Sequence, residues 1–479
     1  MTSARPIADE TADALELVVA EARRFLATLD SDPVRLPGAN EAAERFGGPL
    51  PDEGSGTLAA LTELVDRGLQ GVVRSSGPRF FHWVIGGATP AALAADWLAS
   101  LLDQNAGTWD ATPLGSRLEV VALAWLRELF DLPGDWGGVL TTGATMANFV
   151  GLAAARGWWG EQQGVDVAAR GLAGLPPIPV FSSGYVHASA RKALAMLGLG
   201  RDTVRVLARD GVGRLDLEAL ERELDALDGA AAIVIANAGE VNAGDFDPIR
   251  AVADLVEGRS VWLHVDGAFG LFARTTPRCA ALAAGVERAD SVIADAHKWL
   301  NVPYDSGFAF VRDPALLAKT FRMDAAYLPA VDLEHAEFGF LGPESSRRAR
   351  ALAVWATLRA YGRKGHRALV ERHLELAQHV AERVRQTSDL ELLAEPRLNI
   401  VCFRVRPPGL DERELDDLNR AIGADVLSDG RVYVGTTVYA GRVAFRPAIV
   451  NWRTAEADVD LLVDVICELA QKRSGAAVS

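Results

Sequence analysis

From about residue 90 onward, helical segments alternate with short apolar runs, and this alternation limits the folds open to the chain more than any other feature. Strands that are separated by helices pair in parallel, because each helix carries the chain back across the sheet before the next strand begins. The pattern therefore predicts an α/β fold with a large domain built on a mainly parallel sheet of seven strands. The predicted strands are Gly138–Thr141, Ile178–Ser182, Thr203–Val206, Ala231–Ala236, Val261–Val265, Ser291–Ile293 and Gly307–Val311.

Toward the C-terminus the pattern changes to that of a smaller α+β domain. We predict three parts, namely an N-terminal helical segment (1–75), a large domain (76–365) and a small C-terminal domain (366–479). Residues 10–30 of the first part place apolar side chains at helical spacing, so this helix needs a surface to pack on. The later predicted helices are Arg347–Tyr361, Arg367–Gln386 and Ala455–Gln471, and the later predicted strands are Asn399–Val405, Arg431–Thr436 and Arg442–Pro447.

The charge balance restricts the possible partners. Acidic residues outnumber basic ones by 64 to 49, a net charge of −15, which disfavours nucleic acid and anionic membranes as partners. The sequence contains no run of about 18 uncharged apolar residues, so it predicts no membrane span. Because nucleic acid and membranes are both disfavoured, we expect a small-molecule ligand. Cys279, Cys402 and Cys467 are far apart and match neither a disulfide framework nor a metal-binding pattern, which predicts no metal site and a reducing, cytoplasmic location.

The segment 294–300, ADAHKWL, places a lysine after a histidine at the end of a predicted strand. Such a lysine can bond covalently to an aldehyde, and a large group of enzymes holds pyridoxal phosphate in this way. The segment 262–269, WLHVDGAF, places Asp266 at the end of another apolar strand, where a carboxylate can keep a pyridine nitrogen protonated. Lys298 and Asp266 are therefore catalytic candidates. Taken alone, Lys298 could be a surface lysine and Asp266 could be a helix cap.

Two further motifs could complete such a site. The run 140–149, LTTGATMANF, leads from a strand through small residues into a helix, whose first-turn amides and hydroxyls suit a phosphate. His187 stands at the start of another helix, where a flat imidazole can stack on a cofactor ring. Separately, both features are common in purely structural settings. Together with Lys298 and Asp266 they predict an enzyme that uses pyridoxal phosphate.

In this order and spacing, the motifs resemble the group II decarboxylases that use pyridoxal phosphate, the family of the aromatic amino acid and glutamate decarboxylases. The resemblance spans roughly residues 75–455 and implies the fold type I architecture. It also implies a homodimer with the active site at the subunit interface, with segment 1–75 packed on the partner. Lys298 then bonds to the cofactor, Asp266 pairs with its ring nitrogen and His187 stacks on the ring. The other cofactor-binding positions that it implies are Ala144, Thr145, Ala268, His297 and Asp295, the last standing where relatives often have asparagine.

The same resemblance implies contacts with the substrate. Phe80 belongs to an early aromatic segment near the substrate, and Asn105 to a stretch that the partner subunit contributes. Arg446 matches an arginine that holds a substrate carboxylate in some members, a role that suits a planar guanidinium, although an arginine at a strand end is as often structural. The segment 239–244, GEVNAG, departs from a threonine pair that faces the cofactor in relatives.

The segment 324–346 is predicted to be a long loop, and long loops in compact enzymes often act as lids. Relatives usually carry a tyrosine here that returns a proton to the substrate carbon, but residues 328–360 contain no tyrosine. An alignment without gaps places Phe338 near that position, or Phe340 or Leu341 if the register slips. His335 could replace the missing acid, because an imidazole titrates near neutral pH, or it could be a solvated loop residue.

These features predict the decarboxylation of an L-amino acid to an amine and carbon dioxide. Without the lid tyrosine, oxygen could divert the reaction to an aldehyde, ammonia and peroxide. The same fold also supports other carbon–carbon lyases and aminotransferases, and a binding protein with a decayed site is the non-enzymatic alternative. The joint presence of Lys298, Asp266 and His187 favours an active enzyme.

Overall fold

The computed structural model describes residues 9–322 and 335–476, with side chains described as far as Arg473. Its larger sheet consists of β1 (Gly137–Thr141), β2 (Val180–Ser182), β3 (Val204–Val206), β4 (Ala232–Asn237), β5 (Val261–Asp266), β6 (Ser291–Asp295) and β7 (Gly307–Val311). The strand order across the sheet is β1-β7-β6-β5-β4-β2-β3. The predicted seven-stranded sheet is therefore confirmed, with strand ends shifted by no more than a few residues.

One strand runs against the others. β7 pairs antiparallel with both β1 and β6, whereas the remaining neighbours pair in parallel. Because β1 and β6 are both antiparallel to β7, they run in the same direction as each other. The carboxyl ends of six strands consequently lie at one edge of the sheet, which is where α/β proteins usually place their ligands.

Helices enclose the sheet, and its central strands are buried along their whole length. All residues of β4 and β6 are buried, and β4 is apolar except for Asn237 at its end, as expected for a strand covered on both faces. The helices are α1 (Thr11–Thr28), α2 (Ala39–Glu44), α3 (Thr57–Glu63), α4 (Pro90–Leu102), α5 (Pro113–Leu129), α6 (Ala144–Gln162), α7 (Val167–Arg170), α8 (Ala188–Met196), α9 (Leu217–Asp225), α10 (Ile249–Val256), α11 (Pro314–Phe321), α12 (Ala351–Gln386), α13 (Glu412–Asp429) and α14 (Glu456–Ala476).

The C-terminal region forms a second, smaller core. Its sheet has the order β10-β11-β9-β8 and consists of β8 (Leu390–Leu392), β9 (Phe403–Val405), β10 (Thr436–Tyr439) and β11 (Arg442–Phe445). Buried side chains from these strands, from α13 and α14 and from the second half of α12 pack together apart from the main core. The predicted small α+β domain is confirmed.

One strand predicted in this region was wrong in detail. The predicted strand Arg431–Thr436 belongs to β10 only at Thr436, because the backbone of Tyr433 pairs instead with the early segment, donating to Arg79 O (3.0 Å) and accepting from Phe81 N (2.8 Å). The two helices predicted between residues 347 and 386 are present: α12 consists of two helical stretches that meet at a kink at Gly362, where φ is 59°. The proposed domain boundary at 365 and 366 falls just after this kink.

The N-terminal helix α1 is poorly covered by its own chain. None of its residues is buried, and Leu15, Val18, Val19 and Leu26 are exposed. The apolar stripe that the sequence predicts is thus present, and it faces away from both cores. Within residues 9–322 and 335–476, no helix has the length and apolar character needed to cross a bilayer.

Candidate active site

The strand ends at the carboxyl edge of the large sheet surround a cavity of about 220 Å³. The turns that follow β1, β2, β4, β5 and β6 all contribute to its wall. The eight cofactor-side residues that the sequence predicts line this cavity together: Ala144, Thr145, His187, Asp266, Ala268, Asp295, His297 and Lys298. They come from four separate stretches of chain, so the parallel topology is what brings them together.

Lys298 lies in the turn that follows β6, and its side chain is only 18% exposed. Its Nζ atom lies 3.0 Å from Asp295 Oδ2 and 5.9 Å from the centre of the Phe269 ring. The backbone of Gly86 passes so close that a Cβ atom there would lie 2.1 Å from Lys298 O, so only glycine fits. The amine is thereby held in the cavity by one carboxylate and one aromatic face.

Asp266 is the last residue of β5, and it is 5% exposed. Its Oδ1 accepts a hydrogen bond from Ala268 N (3.1 Å) and its Oδ2 accepts one from Asn148 Nδ2 (2.9 Å). Two donors fix the carboxylate without neutralising it. An anion fixed in this way can hold a protonated nitrogen of a ring that enters the cavity.

The N-terminus of α6 provides an anion site. Asp295 Oδ1 accepts from Ala144 N (2.5 Å) and lies 3.2 Å from His297 Nε2, so this carboxylate occupies the position that a bound anion would take. Gly143, with φ of 149°, precedes the helix, and a Cβ atom there would lie 2.8 Å from the His297 ring. The glycine is required for the histidine to reach the helix terminus.

His297 has a defined orientation. Its Nδ1 accepts from Ser306 N (3.2 Å), which leaves the ring proton on Nε2, facing Asp295. The ring stacks on Tyr304 with centroids 4.2 Å apart. Burial lowers the pKa of His297, although the nearby Asp295 opposes this effect. The imidazole can therefore donate a hydrogen bond into the anion site without carrying a charge.

His187 caps α8. Its Nδ1 accepts from Ser189 N (3.2 Å) and lies 2.7 Å from Ser189 Oγ, and the residue lines the cavity. The surrounding protein displaces enough water to lower the pKa of His187, and the charge of Lys298 adds to the lowering while Asp266 opposes it. A neutral, flat ring in this position can stack on an aromatic ligand.

Comparison with known proteins identifies the family of this site. The pyridoxal-dependent decarboxylase conserved domain matches residues 51–406. The chain is 33% identical, over 88% of its length, to the L-2,4-diaminobutyrate decarboxylase of Rhizobium meliloti, of which it covers 84%. The chain belongs to the pyridoxal-dependent decarboxylase family.

Two further comparisons place this decarboxylase among its relatives. It is 29% identical to the aromatic-L-amino-acid decarboxylase of Bacillus atrophaeus, with 93% of this chain and 91% of the relative covered. The crystal structure of Oryza sativa TDC with PLP and tryptamine matches it with a TM-score of 0.88 at 26% identity, covering 98% of this chain and 100% of that one. The predicted family, fold type I architecture, enzyme class and pyridoxal 5′-phosphate (PLP) cofactor are all confirmed.

The residues of the decarboxylase cavity fit PLP chemically. Lys298 offers an amine for the aldehyde, Asp266 offers a fixed anion for the ring nitrogen, and the first turn of α6 offers donors for the phosphate. The position of the Asp295 carboxylate demonstrates that this helix terminus accepts an anion. An asparagine at this position would place a neutral amide beside the first turn of α6 instead of a carboxylate.

The substrate-side residues that the sequence predicts lie elsewhere on the decarboxylase. Among the described residues, none of Phe80, Asn105, His335, Phe338 and Arg446 lines the cavity of Lys298. Asn105 is exposed, and its Oδ1 accepts from Arg347 N (2.9 Å). Phe80 is buried and stacks on Tyr433, with ring centroids 5.2 Å apart. Arg446 is the nearest of the five, because its Nη1 donates to the backbone oxygen of Val241 (3.1 Å) in the cavity wall.

The predicted lid is described only in part, because residues 323–334 lie outside the described chain. Phe338 is 2% exposed and packs under the guanidinium of Arg347, whose Cζ lies 5.4 Å from the ring centre. It lines a separate cavity of about 290 Å³ together with Trp136. His335 is exposed and meets the Trp109 ring edge to face, with centroids 4.3 Å apart. Within one chain, these two residues thus lie apart from Lys298.

Several polar residues of the decarboxylase site were missed in the sequence. Asn148 and His264 lie directly behind Asp266, and Glu240 is a buried carboxylate in the cavity wall. A signal for His264 was present, since Trp262, His264 and Asp266 alternate along β5 and therefore share one face. Asn148 gives a weaker signal, as a polar residue one turn into a helix whose first half is mostly apolar.

Proposed function

We propose that this enzyme removes the carboxylate of an L-amino acid and releases the corresponding amine and carbon dioxide. The observation that carries the proposal is the shared cavity of Lys298 and Asp266 beside the N-terminus of α6. When bound there, PLP supplies an aldehyde for the substrate amine and a ring that accepts electrons from Cα. The membership of the family favours loss of the carboxylate over the other reactions that the fold supports.

Three residues are proposed to hold the ring. Asp266 keeps a proton on the ring nitrogen, because its carboxylate is fixed by two donors and shielded from water. His187 covers one face of the ring as a neutral imidazole. Ala268, whose side chain is only a methyl group, leaves space on the opposite face. In this arrangement the protein sets both the charge and the orientation of the ring.

The phosphate is proposed to bind at the first turn of α6. The amides of Ala144 and Thr145 and the hydroxyl of Thr145 meet it at the positive end of the helix dipole. His297 donates from Nε2, the nitrogen that now faces Asp295. Phosphate entry requires Asp295 to give up its bond with Ala144 N, and it can then remain paired with Lys298 or turn away.

Arg446 is proposed to hold the substrate carboxylate before it leaves. Its guanidinium is half-buried at the cavity wall, where its Nη1 donates to Val241 O and its other N–H groups can serve a ligand. Burial lowers the pKa of Arg446, and the negative charge of Glu240 opposes this. A planar cation held in this way can orient a carboxylate through paired hydrogen bonds.

Glu240 is proposed to limit the range of substrates. It is 5% exposed, lines the cavity and stands in the segment where relatives commonly have a threonine pair. Backbone amides of Asn242 (2.8 Å) and Ala243 hold its carboxylate in place, while burial raises its pKa. An anion here disfavours amino acids with acidic side chains. Apolar substrates and those with a second amine, such as L-2,4-diaminobutyrate, fit better.

The proton donor is proposed to be His335, because the usual lid tyrosine is absent. In the described chain His335 is exposed against Trp109 and away from Lys298, so it reaches substrate only by closure of the lid or by entering the site of a second subunit. Closure of the lid would exclude water while the proton is transferred. The ordinary product is then the amine.

A second product is favoured by the same departure from the family pattern. Without a tyrosine in residues 328–360, oxygen is proposed to compete with protonation and to yield aldehyde, ammonia and hydrogen peroxide. Coupled assays for peroxide and ammonia distinguish the two outcomes. If Phe338 occupies the position of the tyrosine, Phe338→Tyr raises the ratio of amine to aldehyde; an unchanged ratio with a lower melting temperature excludes that register.

The assembly and location are also proposals. The exposed apolar stripe of α1 and the exposed Trp97, Leu98 and Leu101 of α4 suit a homodimer in which segment 1–75 packs on the partner subunit. Sedimentation at micromolar concentration tests this. Cys279, Cys402 and Cys467 are all free thiols, which suits the reducing cytoplasm.

The deciding experiment incubates PLP-loaded protein with a panel of L-amino acids and measures carbon dioxide. We expect release from at least one apolar or basic amino acid and little from glutamate, aspartate or cysteine sulfinate. Lys298→Ala is the matched control for background release. Substrate carboxylates that stay intact throughout the panel, in protein that binds PLP, would overturn the proposal.

A further inference from the structure

A chain of buried polar side chains runs from Asp266 away from the cavity into the core. Asn148 Nδ2 donates to Asp266 Oδ2 (2.9 Å), and Asn148 Oδ1 lies 2.8 Å from His264 Nε2. His264 Nδ1 lies 2.7 Å from Ser291 Oγ, which accepts from Trp262 Nε1 (2.9 Å). All five side chains are at most 5% exposed, so the chain is closed to solvent.

The direction of every hydrogen bond in this chain follows from Asp266. An ionised carboxylate only accepts, so Asn148 turns its NH₂ group to Asp266 and its oxygen to His264. His264 must then donate from Nε2, which leaves Nδ1 as the acceptor for the hydroxyl of Ser291. The Ser291 oxygen in turn accepts from the indole. Reversing the amide of Asn148 would set its oxygen against the carboxylate, so a single arrangement satisfies all the groups.

A branch of the same chain reaches the second residue predicted to contact the cofactor ring. Asn148 Nδ2 also donates to Ser189 Oγ (3.2 Å). The Ser189 hydroxyl lies 2.7 Å from His187 Nδ1, which already accepts from Ser189 N, so the hydroxyl donates to the ring. The two N–H groups of Asn148 thus serve Asp266 directly and His187 through one serine.

Packing alone does not require polar atoms at these positions. Burying unpaired polar groups in a core is unfavourable, and an apolar side chain could fill the space of His264. The helix instead approaches closely enough that a Cβ atom at Gly151 would lie 2.8 Å from the His264 ring. Burial lowers the pKa of His264 to about 4, so the neutral form that the chain needs is present at physiological pH.

We propose that Asn148 and His264 are positioning residues for PLP. Asn148 orients the carboxylate of Asp266 and, through Ser189, the imidazole of His187, while His264 fixes the orientation of Asn148. The single amide of Asn148 thereby orients both Asp266, the partner of the cofactor's ring nitrogen, and His187, whose imidazole stacks on the cofactor. The inference rests on PLP binding at Lys298 and not on the identity of the substrate or the product.

The test compares His264→Leu with His264→Gln in the full-length protein. The amide of glutamine can donate to Asn148 as Nε2 does, whereas leucine fills the space without a donor. We expect His264→Leu to weaken PLP binding about tenfold and to shift the visible absorbance of bound PLP and its pH midpoint. His264→Gln should stay within about threefold of the wild type and restore the spectrum.

Two further measurements keep the proposal open to refutation. A purely structural role for His264 predicts that both variants lower the melting temperature of the apoprotein, with wild-type PLP affinity and spectrum in whatever folds; that result overturns the proposal. If His264→Leu does not fold, Ser291→Ala removes only the hydroxyl that fixes the tautomer. It is expected to weaken PLP binding about threefold, and an unchanged affinity and spectrum would refute the inference.

Discussion

The cofactor side and the substrate side of this decarboxylase are built differently. The eight cofactor-side residues follow strands of one sheet, and they line one cavity in a single chain. The five substrate-side residues lie on segments outside that sheet, and within the described chain none of them lines that cavity. Strand ends are brought together by topology alone, whereas the substrate side depends on long-range packing and on a lid. The arrangement of the cofactor side therefore depends less on long-range packing than that of the substrate side.

The largest effect is expected where the cofactor side supplies charge. Asp266→Asn removes the anion that we propose keeps the ring nitrogen protonated, and we expect kcat to fall by about a hundredfold. Steady-state carbon dioxide release checks this. Asp295→Asn makes the same change on a second buried carboxylate of the cavity and should leave kcat within about threefold. Equal losses in both variants would mean that the charge of Asp266 has no special role among the carboxylates of the cofactor side.

A smaller effect is expected on the substrate side. Arg446→Lys keeps the positive charge but removes the planar pair of donors, so KM should rise about tenfold while kcat changes little. Initial rates over a range of substrate concentrations separate the two constants. A lower kcat at an unchanged KM would instead place Arg446 among the groups that act on the cofactor.

Asp295→Asn should also change cofactor affinity, in the favourable direction. The carboxylate occupies the anion site of α6, so replacing it with a neutral amide removes repulsion of the phosphate worth roughly 1 kcal/mol. We expect PLP to bind about fivefold more tightly, measured by equilibrium dialysis. Weaker binding would show that the pairing of Asp295 with Lys298 matters more than its charge near the phosphate.

The smallest effect on the active site is expected from His373, which belongs to neither the cofactor side nor the substrate side. His373 accepts from Trp299 Nε1 (2.8 Å) and faces Asn451 O (3.0 Å), and burial lowers its pKa from 6.5 to about 3. As the pH falls, the unfolded chain binds a proton on His373 before the folded chain does. The contribution of the neutral His373 to the free energy of unfolding is therefore complete above pH 6.5 and declines as the pH falls toward 3, by about 1.4 kcal/mol per pH unit.

Urea unfolding of the apoprotein at pH 7 and pH 5 measures that decline. His373→Gln should flatten the pH dependence and leave the absorbance of bound PLP unchanged. His264 is the internal comparison, since it is also buried and neutral but is linked to Asp266 through Asn148. An altered PLP spectrum in His373→Gln would contradict the assignment of His373 to structure alone.

The sequence predicted the cofactor side because local pattern and topology agree there. Apolar strands ending in Asp266 and Asp295, and a glycine turn entering α6, fix both the element and the edge on which each residue lies. Asn148 and His264, the polar residues behind Asp266, were not predicted. Alternation along β5 was a signal for His264, but its partner on α6 depends on the packing of the helix against the sheet.

The substrate side could not be derived in the same way. Phe338 packs under Arg347 and lines a cavity with Trp136, which lies about 200 residues earlier, and no periodicity records such contacts. The wrong strand at Arg431–Thr436 has the same origin, because Tyr433 pairs with a segment about 350 residues earlier. Long-range pairing of this kind is invisible to a local pattern.

The most direct test of the account is whether Lys298 captures PLP. Purified protein is reconstituted with PLP, treated with borohydride and digested, and the modified lysine is located by mass spectrometry. The account predicts a yellow absorbance before reduction and a stable adduct on Lys298, both lost in Lys298→Ala. Folded protein that shows no such absorbance, or that carries the adduct on a different lysine, would contradict it.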